Sequence, residues 1–218
     1  MHTLTDTEAI RVAESAHPLA RHDMFLLRRP SPPLLDRILD AQRSQSVSYP
    51  EVGMTRSPGG SSYPLNHHRI DLGSGSEIYA GAVAAVRSWA MYDLSWTGLY
   101  PANTPVEEGR VFATLANHLG FWSINPCRIV YVEDRDEELF PSFSFAIGTL
   151  PLHSERGEER FRVEWDRARD LVSFEILALA GPQHWLARLG WPIARILQRR
   201  FGTEALHAVH STVRRARA

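Results

Sequence analysis

Apolar positions first recur at helical spacing between Leu34 and Gln45, where Leu34, Leu35, Ile38, Leu39 and Gln42 fall on one side. Pro33 suits the start of that helix. A shorter helix is expected over Thr7–Leu19, with Ile10, Val12 and Ala13 as its weak apolar side. The stretch Ser46–Tyr63 is rich in Ser, Gly and Pro and reads as an ordered loop or irregular extended segment. Leu65–Leu72 then alternates as a strand does: His68, Ile70 and Leu72 take one face, and His67, Arg69 and Asp71 the other. After Gly73-Ser74-Gly75-Ser76, Ile78, Ala82, Ala85, Val86 and Trp89 make the stripe of a helix running from Glu77 to about Met91.

Beyond Met91 the pattern is one of strands. Six are expected: Leu94–Tyr100, Arg110–His118, Cys127–Asp134, Ser142–Leu150, Gly157–Trp165 and Leu171–Ala180, most of them separated by turn residues such as Asn125-Pro126 and Pro151 to Arg156. The last segment, Gln183 to about Arg214, returns to helical spacing through Trp185, Leu189, Ile193, Ile196, Leu197 and Phe201, with Pro192 implying a kink or break. Strand, helix, six strands, long helix is the order of an α+β domain. Short turns between successive strands argue for one seven-stranded antiparallel sheet. Its apolar face needs a cover, and the amphipathic C-terminal helix is the expected one.

Composition excludes more than it assigns. All 24 basic residues of the 218-residue chain are Arg, so Schiff-base, pyridoxal-phosphate and P-loop lysines are impossible. The single cysteine, Cys127, excludes an internal disulfide and a cysteine zinc cluster. A formal net charge of -1 gives no overall field towards nucleic acid or an anionic membrane. Nothing resembles a signal peptide or a membrane span, and a cytoplasmic location is expected.

Five stretches carry a resemblance. They are Tyr49-Pro50-Glu51-Val52-Gly53, Cys127-Arg128-Ile129-Val130-Tyr131, Gly148-Thr149-Leu150-Pro151, His153 with Gly157-Glu158-Glu159-Arg160-Phe161, and Gln198-Arg199-Arg200-Phe201. In this order they resemble a family of bacteria and plants catalogued as domain of unknown function nineteen-ninety. The resemblance runs from about Met24 to Thr212. It divides the chain into an N-terminal extension (1–23) and a single domain (24–218) with an N-terminal helical segment. The family's segment order is similar to the START-like helix-grip superfamily, which includes polyketide cyclases. The resemblance thus implies a curved sheet around the C-terminal helix and a cavity for an apolar or amphipathic small molecule. It does not imply a reaction, because that superfamily holds carriers, sensors and enzymes. Two functions stay open: a carrier or sensor, and a cyclase, dehydratase or isomerase acting on a polyketide-like or related natural product.

Parity names the candidate site. On the strand after His153, Glu159, Phe161, Val163 and Trp165 share one face, and Glu158, Arg160, Arg162 and Glu164 the other. The second set reads as a solvated ladder of alternating charge. The expected cavity is lined by Phe161, Val163, Trp165, Phe174, Ile176 and Trp185, with Glu159 and His153 near one end as candidate acid–base groups. Arg128 is expected within hydrogen-bond reach of Glu159, as a clamp for a ligand carboxylate or as a structural partner. His153 reads equally as a loop histidine bonded to backbone, and Cys127 as a small core residue. No metal site or cofactor is expected: His67 and His68 point apart, and His207 and His210 lack a carboxylate motif. Gly73-Ser74-Gly75 reads as a tight turn, not a dinucleotide loop, because no parallel βαβ unit follows. The C-terminal arginines read as a solvated helix face, and no nucleic-acid partner is expected. Oligomeric state is left open.

Overall fold

The computed structural model of the chain describes residues 24–118, 120–182 and 191–216. Among the described residues there are eight strands: β1 (Phe25–Leu26), β2 (Leu65–Gly73), β3 (Thr97–Tyr100), β4 (Val111–His118), β5 (Phe121–Arg135), β6 (Ser142–Thr149), β7 (Glu155–Asp166) and β8 (Leu171–Pro182). Three α-helices accompany them: α1 (Pro32–Gln42), α2 (Ser76–Arg87) and α3 (Trp191–Arg215). Seven strands form one antiparallel sheet in the order β2-β8-β7-β6-β5-β4-β3, and the short β1 pairs with β5 beside that path. The sheet curls, and the long C-terminal helix packs against β2, β8 and α2 in a helix-grip arrangement. The helix expected over Thr7–Leu19 and the residue Trp185 lie outside the described residues.

The two faces of the sheet are covered differently. On the outer face, α1 buries Leu35, Ile38 and Leu39 against Ala113, Leu115 and Ile124 of β4 and β5. On the concave face two helices share the cover, where one was expected. Helix α2 lays Ile78, Ala82, Ala85 and Val86 over β7, and the turn that follows adds Trp89 and Tyr92. Helix α3 contributes Ala205, Leu206, Val209 and Val213 to the same core. Its apolar side therefore lies later than expected, and Ile196, assigned to that side, is 64% exposed.

Strand β5 begins six residues earlier than the pattern suggested. Asn125-Pro126, expected as a turn, lies inside it, with Pro126 opposite Ala113 of β4. Proline has no N–H to give a ladder. A residue's N–H and C=O leave a strand on the same side, and the Pro126 carbonyl accepts from Leu150, the residue at which β6 has ended. The Leu150 carbonyl, which a donor at Pro126 would have met, accepts instead from His153 N at 2.9 Å, so the missing N–H leaves no acceptor unmet. A bulge between Ile129 and Tyr131 then reverses parity, so Tyr131 faces outwards.

The outer face of β7 is covered around Glu158. Residues 48–56 cross it as a strap, and Glu158 is 1% exposed beneath them. Its carboxylate accepts from Tyr49 Oη (2.7 Å), Gly53 N (2.7 Å), Thr55 N (3.0 Å) and the Thr55 hydroxyl. Arg160 donates to the Thr55 carbonyl and to Glu175, each at 2.6 Å. Of the charge ladder expected here, Glu158 and Arg160 belong to a largely buried polar network, while Arg162 and Glu164 pair with each other on the partly exposed half of the strand.

Two glycines allow close approach, Gly148 beneath the strap and Gly157 against β8. A Cβ on Gly148 would stand 2.4 Å from the Tyr49 hydroxyl. Gly157 has φ +148°, and a Cβ there would lie 2.1 Å from the Leu179 carbonyl oxygen. Gly157→Ala should therefore force β7 from β8 and cost about 2–5 kcal/mol, from overpacking and backbone strain together. Gly98→Ala, with open space around it, should stay within about 0.5 kcal/mol. Urea unfolding of the two variants checks the contrast.

Candidate functional site

The concave face has a closed end and an open end. Phe161, Val163, Phe174 and Ile176 are fully buried, and Phe161 packs against Phe145 and Tyr92 with ring centroids 5.2 and 6.2 Å apart. Trp165 lies towards the far end, stacked on Tyr79 and donating its indole N–H to Asp170. Towards the other end the side chains shrink. Ala178 stands opposite Glu159, and Ala180 opposite Gly157. These two alanines, Glu155 and Glu159 all keep partly open surface, although they belong to the concave face. One row of cross-strand neighbours runs Asn66, Ala178, Glu159, Ile147 over β2, β8, β7 and β6. The small Ala178 leaves room between an amide and a carboxyl.

The polar groups at this end come from several elements. Glu155 and Glu159 are four apart on β7, and Glu155 lies near enough to raise the proton affinity of Glu159. The Tyr92 hydroxyl, held by the turn after α2, bonds the Glu159 carboxyl. Gln198 of α3 donates to Glu155 Oε2 at 2.8 Å, and Arg195 adds a positive charge close by. His68 bonds Asn66 across 3.1 Å and lies under Gly202, where a Cβ would stand 2.4 Å from its ring. That glycine lets α3 settle onto β2.

Proton affinities follow from enclosure. Removal from water pushes Glu159 up to about 8, with the neighbouring Glu155 adding to the rise and Tyr92 opposing it. Enclosure raises Glu155 to about 7 against the bonds from Gln198 and the charge of Arg195. Near neutral pH, Glu159 is thus a carboxylic acid able to donate a hydrogen bond, and Glu155 is poised between its two forms. The Cys127 thiol is pushed up by burial and by the same carboxyls, which makes it a poor nucleophile.

The expected site residues separate accordingly. Glu159 faces the concave side with Phe161, Val163 and Trp165, as parity required. Arg128 does not meet it. It points from the outer face and donates to the Arg43 carbonyl at 2.8 Å, because Cys127 and Ile129, its neighbours in β5, take the inner one. His153 lies deep in the β6–β7 turn, where its Nδ1 accepts the Glu155 backbone N–H at 2.9 Å. Burial lowers it to about 4, so it is neutral at pH 7 and too weak a base for the role expected of it. Glu155 was overlooked because it was read as part of the turn, yet it shares Glu159's parity. Among the described residues no three His, Cys, Asp or Glu side chains stand together as a metal site would require. No helix among them is long and apolar enough to cross a membrane.

Fold and site together define a helix-grip α+β protein with an acidic polar end on an otherwise apolar concave face. The chain belongs to the family described as "Domain of unknown function (DUF1990)", whose model matches residues 48–208. It is 32% identical over 207 residues to a UPF0548 protein of Dictyostelium discoideum, covering 87% of this chain and 96% of that protein. Among solved structures, a hypothetical protein from Helicobacter pylori superposes with a TM-score of 0.49 at 10% identity, covering 76% of this chain and 95% of that one. Human STARD10 does so with a TM-score of 0.38 at 8% identity, covering 82% and 81%.

The two raised carboxyls make stability fall with pH. Each holds its proton in the folded chain after the unfolded chain has released it. Their stabilising contribution is full below the usual carboxylate range and is lost as pH rises through about 7 for Glu155 and about 8 for Glu159. His153 acts oppositely between about 4 and its ordinary value. Thermal melts from pH 5 to 9 should show the wild type losing stability relative to Glu159→Gln, with the gap widening up to about pH 8 and constant above it.

Proposed function

We propose that the protein binds a small amphipathic molecule at the open end of the concave face, as a carrier or sensor. The observation that carries this reading is the partly open surface of Glu155, Glu159, Ala178 and Ala180 beside the fully buried Phe161, Val163, Phe174 and Ile176 of the same face. Pockets of this kind pair an apolar wall with a few placed polar groups. Here the apolar wall is Ala178 and Ala180, and the polar groups are Asn66, Glu159, Glu155 and Gln198. A head group bearing a hydroxyl or carbonyl fits the protonated Glu159, which offers it a donor.

A second reading, an enzyme of cyclase, dehydratase or isomerase type, is favoured by one observation: two interior carboxyls that exchange protons near neutral pH. General acid–base chemistry works best with such values.

Native mass spectrometry of the purified protein should detect a co-purified small molecule, and Ala178→Phe should abolish it while leaving the fold intact. Glu159→Leu, which removes donor and acceptor together, should weaken a ligand with a polar head roughly 10- to 100-fold, the equivalent of one buried hydrogen bond. It should leave purely apolar ligands unaffected. A ligand retained in full by Ala178→Phe sinks the assignment of this end of the sheet. If a turnover is found, its loss in Glu159→Gln with ligand affinity kept selects the enzyme reading.

A further inference from the structure

Four of the stretches that carry the family resemblance contribute to one place, the first half of β7. Tyr49 and Gly53 come from the strap, Gly148 and Thr149 from β6, and Gly157, Glu158 and Glu159 from β7 itself. Gln198 of α3 closes on the inner side through Glu155. Glu158 and Glu159 are chemically identical neighbours. Strand side chains alternate, so one must face inwards and one outwards, and a one-residue slip exchanges them. Phe161 and Val163, buried in the core further along β7, set the parity of the strand. The surroundings of its first half hold the two carboxyls to it. Thr149 Oγ1 accepts the Gly157 N–H at 2.9 Å and lies 3.2 Å from its carbonyl oxygen, and Ser48 bonds Thr149 through both backbone and side chain. The strap then presents four donors to the outer carboxylate and offers none to the inner one.

We propose that the strap 48–56, acting through Glu158, is the positioning element of the interior site: by capturing one carboxylate outside, it holds Glu159 and Glu155 on the concave face. Glu158 and the strap touch no ligand and take no part in chemistry. Without the capture, Glu158 is a buried acceptor lacking its donors, and β7 gains by twisting to bring it to water. That motion carries Glu159 with it and admits water behind Tyr92. The functional meaning of this rests on the reading of Glu155 and Glu159 as the site, but the effect itself needs no ligand.

The test is a carboxyl carbon-13 NMR titration of Glu159 in the full chain, assigned by Glu159→Gln. The double variant Tyr49→Phe/Thr55→Val keeps both backbone donors and removes both hydroxyls; Glu158→Gln is the stronger change. Both should lower the Glu159 midpoint from about 8 by at least one pH unit. Restoring the hydroxyl in Tyr49→Phe/Thr55→Ser should recover part of the shift. Leu39→Ala, in the separate α1 cluster, serves as a control for general loss of stability and should leave the midpoint in place. An unchanged midpoint in the strap variants, or an equal shift in Leu39→Ala, overturns the proposal. If Glu158→Gln does not fold, the double variant decides alone. Because no ligand enters, failure here leaves the ligand search standing, and failure of that search leaves this result standing.

Discussion

A carboxylate shut away from water costs several kcal/mol unless its lone pairs are met. Glu158 meets that demand with two backbone amides, a phenol and a hydroxyl, all drawn from residues 49–55. The Thr55 hydroxyl, giving its own proton to Glu158, takes one from Tyr131, which extends the network to β5. Arg56 lies over the Tyr131 ring, 4.0 Å from its centroid, and bonds Glu133 at 2.6 Å. An irregular segment rich in Ser, Gly and Pro has no ladder of its own. It is ordered here because its donors have an anion to point at, and Tyr49 and Met54 are buried against Leu177 and Leu179 in the process. Hydrogen bonds to charged groups contribute about 1.5–3 kcal/mol each, so this one residue outweighs the surface ion pairs elsewhere on the sheet.

The concave face shows the opposite treatment of a carboxyl. Glu159 has a single phenol for company and a second carboxyl nearby, and the cheaper answer is to keep its proton. Two adjacent glutamates thus have different chemistry because their surroundings differ: many donors outside, few inside. The inner face is also divided along its length. Phenylalanines 143, 145, 161 and 174 fill the closed end under α2, whereas Ala178, Ala180 and Gly157 leave the other end without bulk. Helix α3 follows the same division. Its later turns seal the core with Ala205, Val209 and Val213, and its earlier turns bring Arg195 and Gln198 over the acidic end.

Much of the architecture was legible in local pattern. The alternation in β7 and β8 assigned Phe161, Val163, Phe174 and Ile176 to the cavity side, that in β2 put His68, Ile70 and Leu72 on one face, and the helical spacing of Leu35, Ile38 and Leu39 marked the buried side of α1. Period and parity are properties of neighbouring residues, so neighbouring residues suffice to read them. The inward direction of Glu159 was legible for the same reason. The limits of β5 were not, since proline and asparagine mark a turn in most settings, and a strand is acceptable there because the Leu150 carbonyl beside Pro126 takes its proton from His153.

What the chain determined by itself is the succession of elements, the side of each strand that is apolar, and the chemistry it lacks: no lysine for covalent catalysis and no cysteine pair. Tertiary structure alone decided the state and company of the charged residues. The alternation Glu158, Arg160, Arg162, Glu164 reads as a wet face until residues a hundred positions earlier are laid across it. Arg128 reads as a partner for Glu159 until the sheet puts them on opposite sides. The physical reason is one of range. Backbone periodicity acts over a few residues, while the free energy of a charge depends on every dipole and every water within several ångströms, whichever part of the chain supplies them.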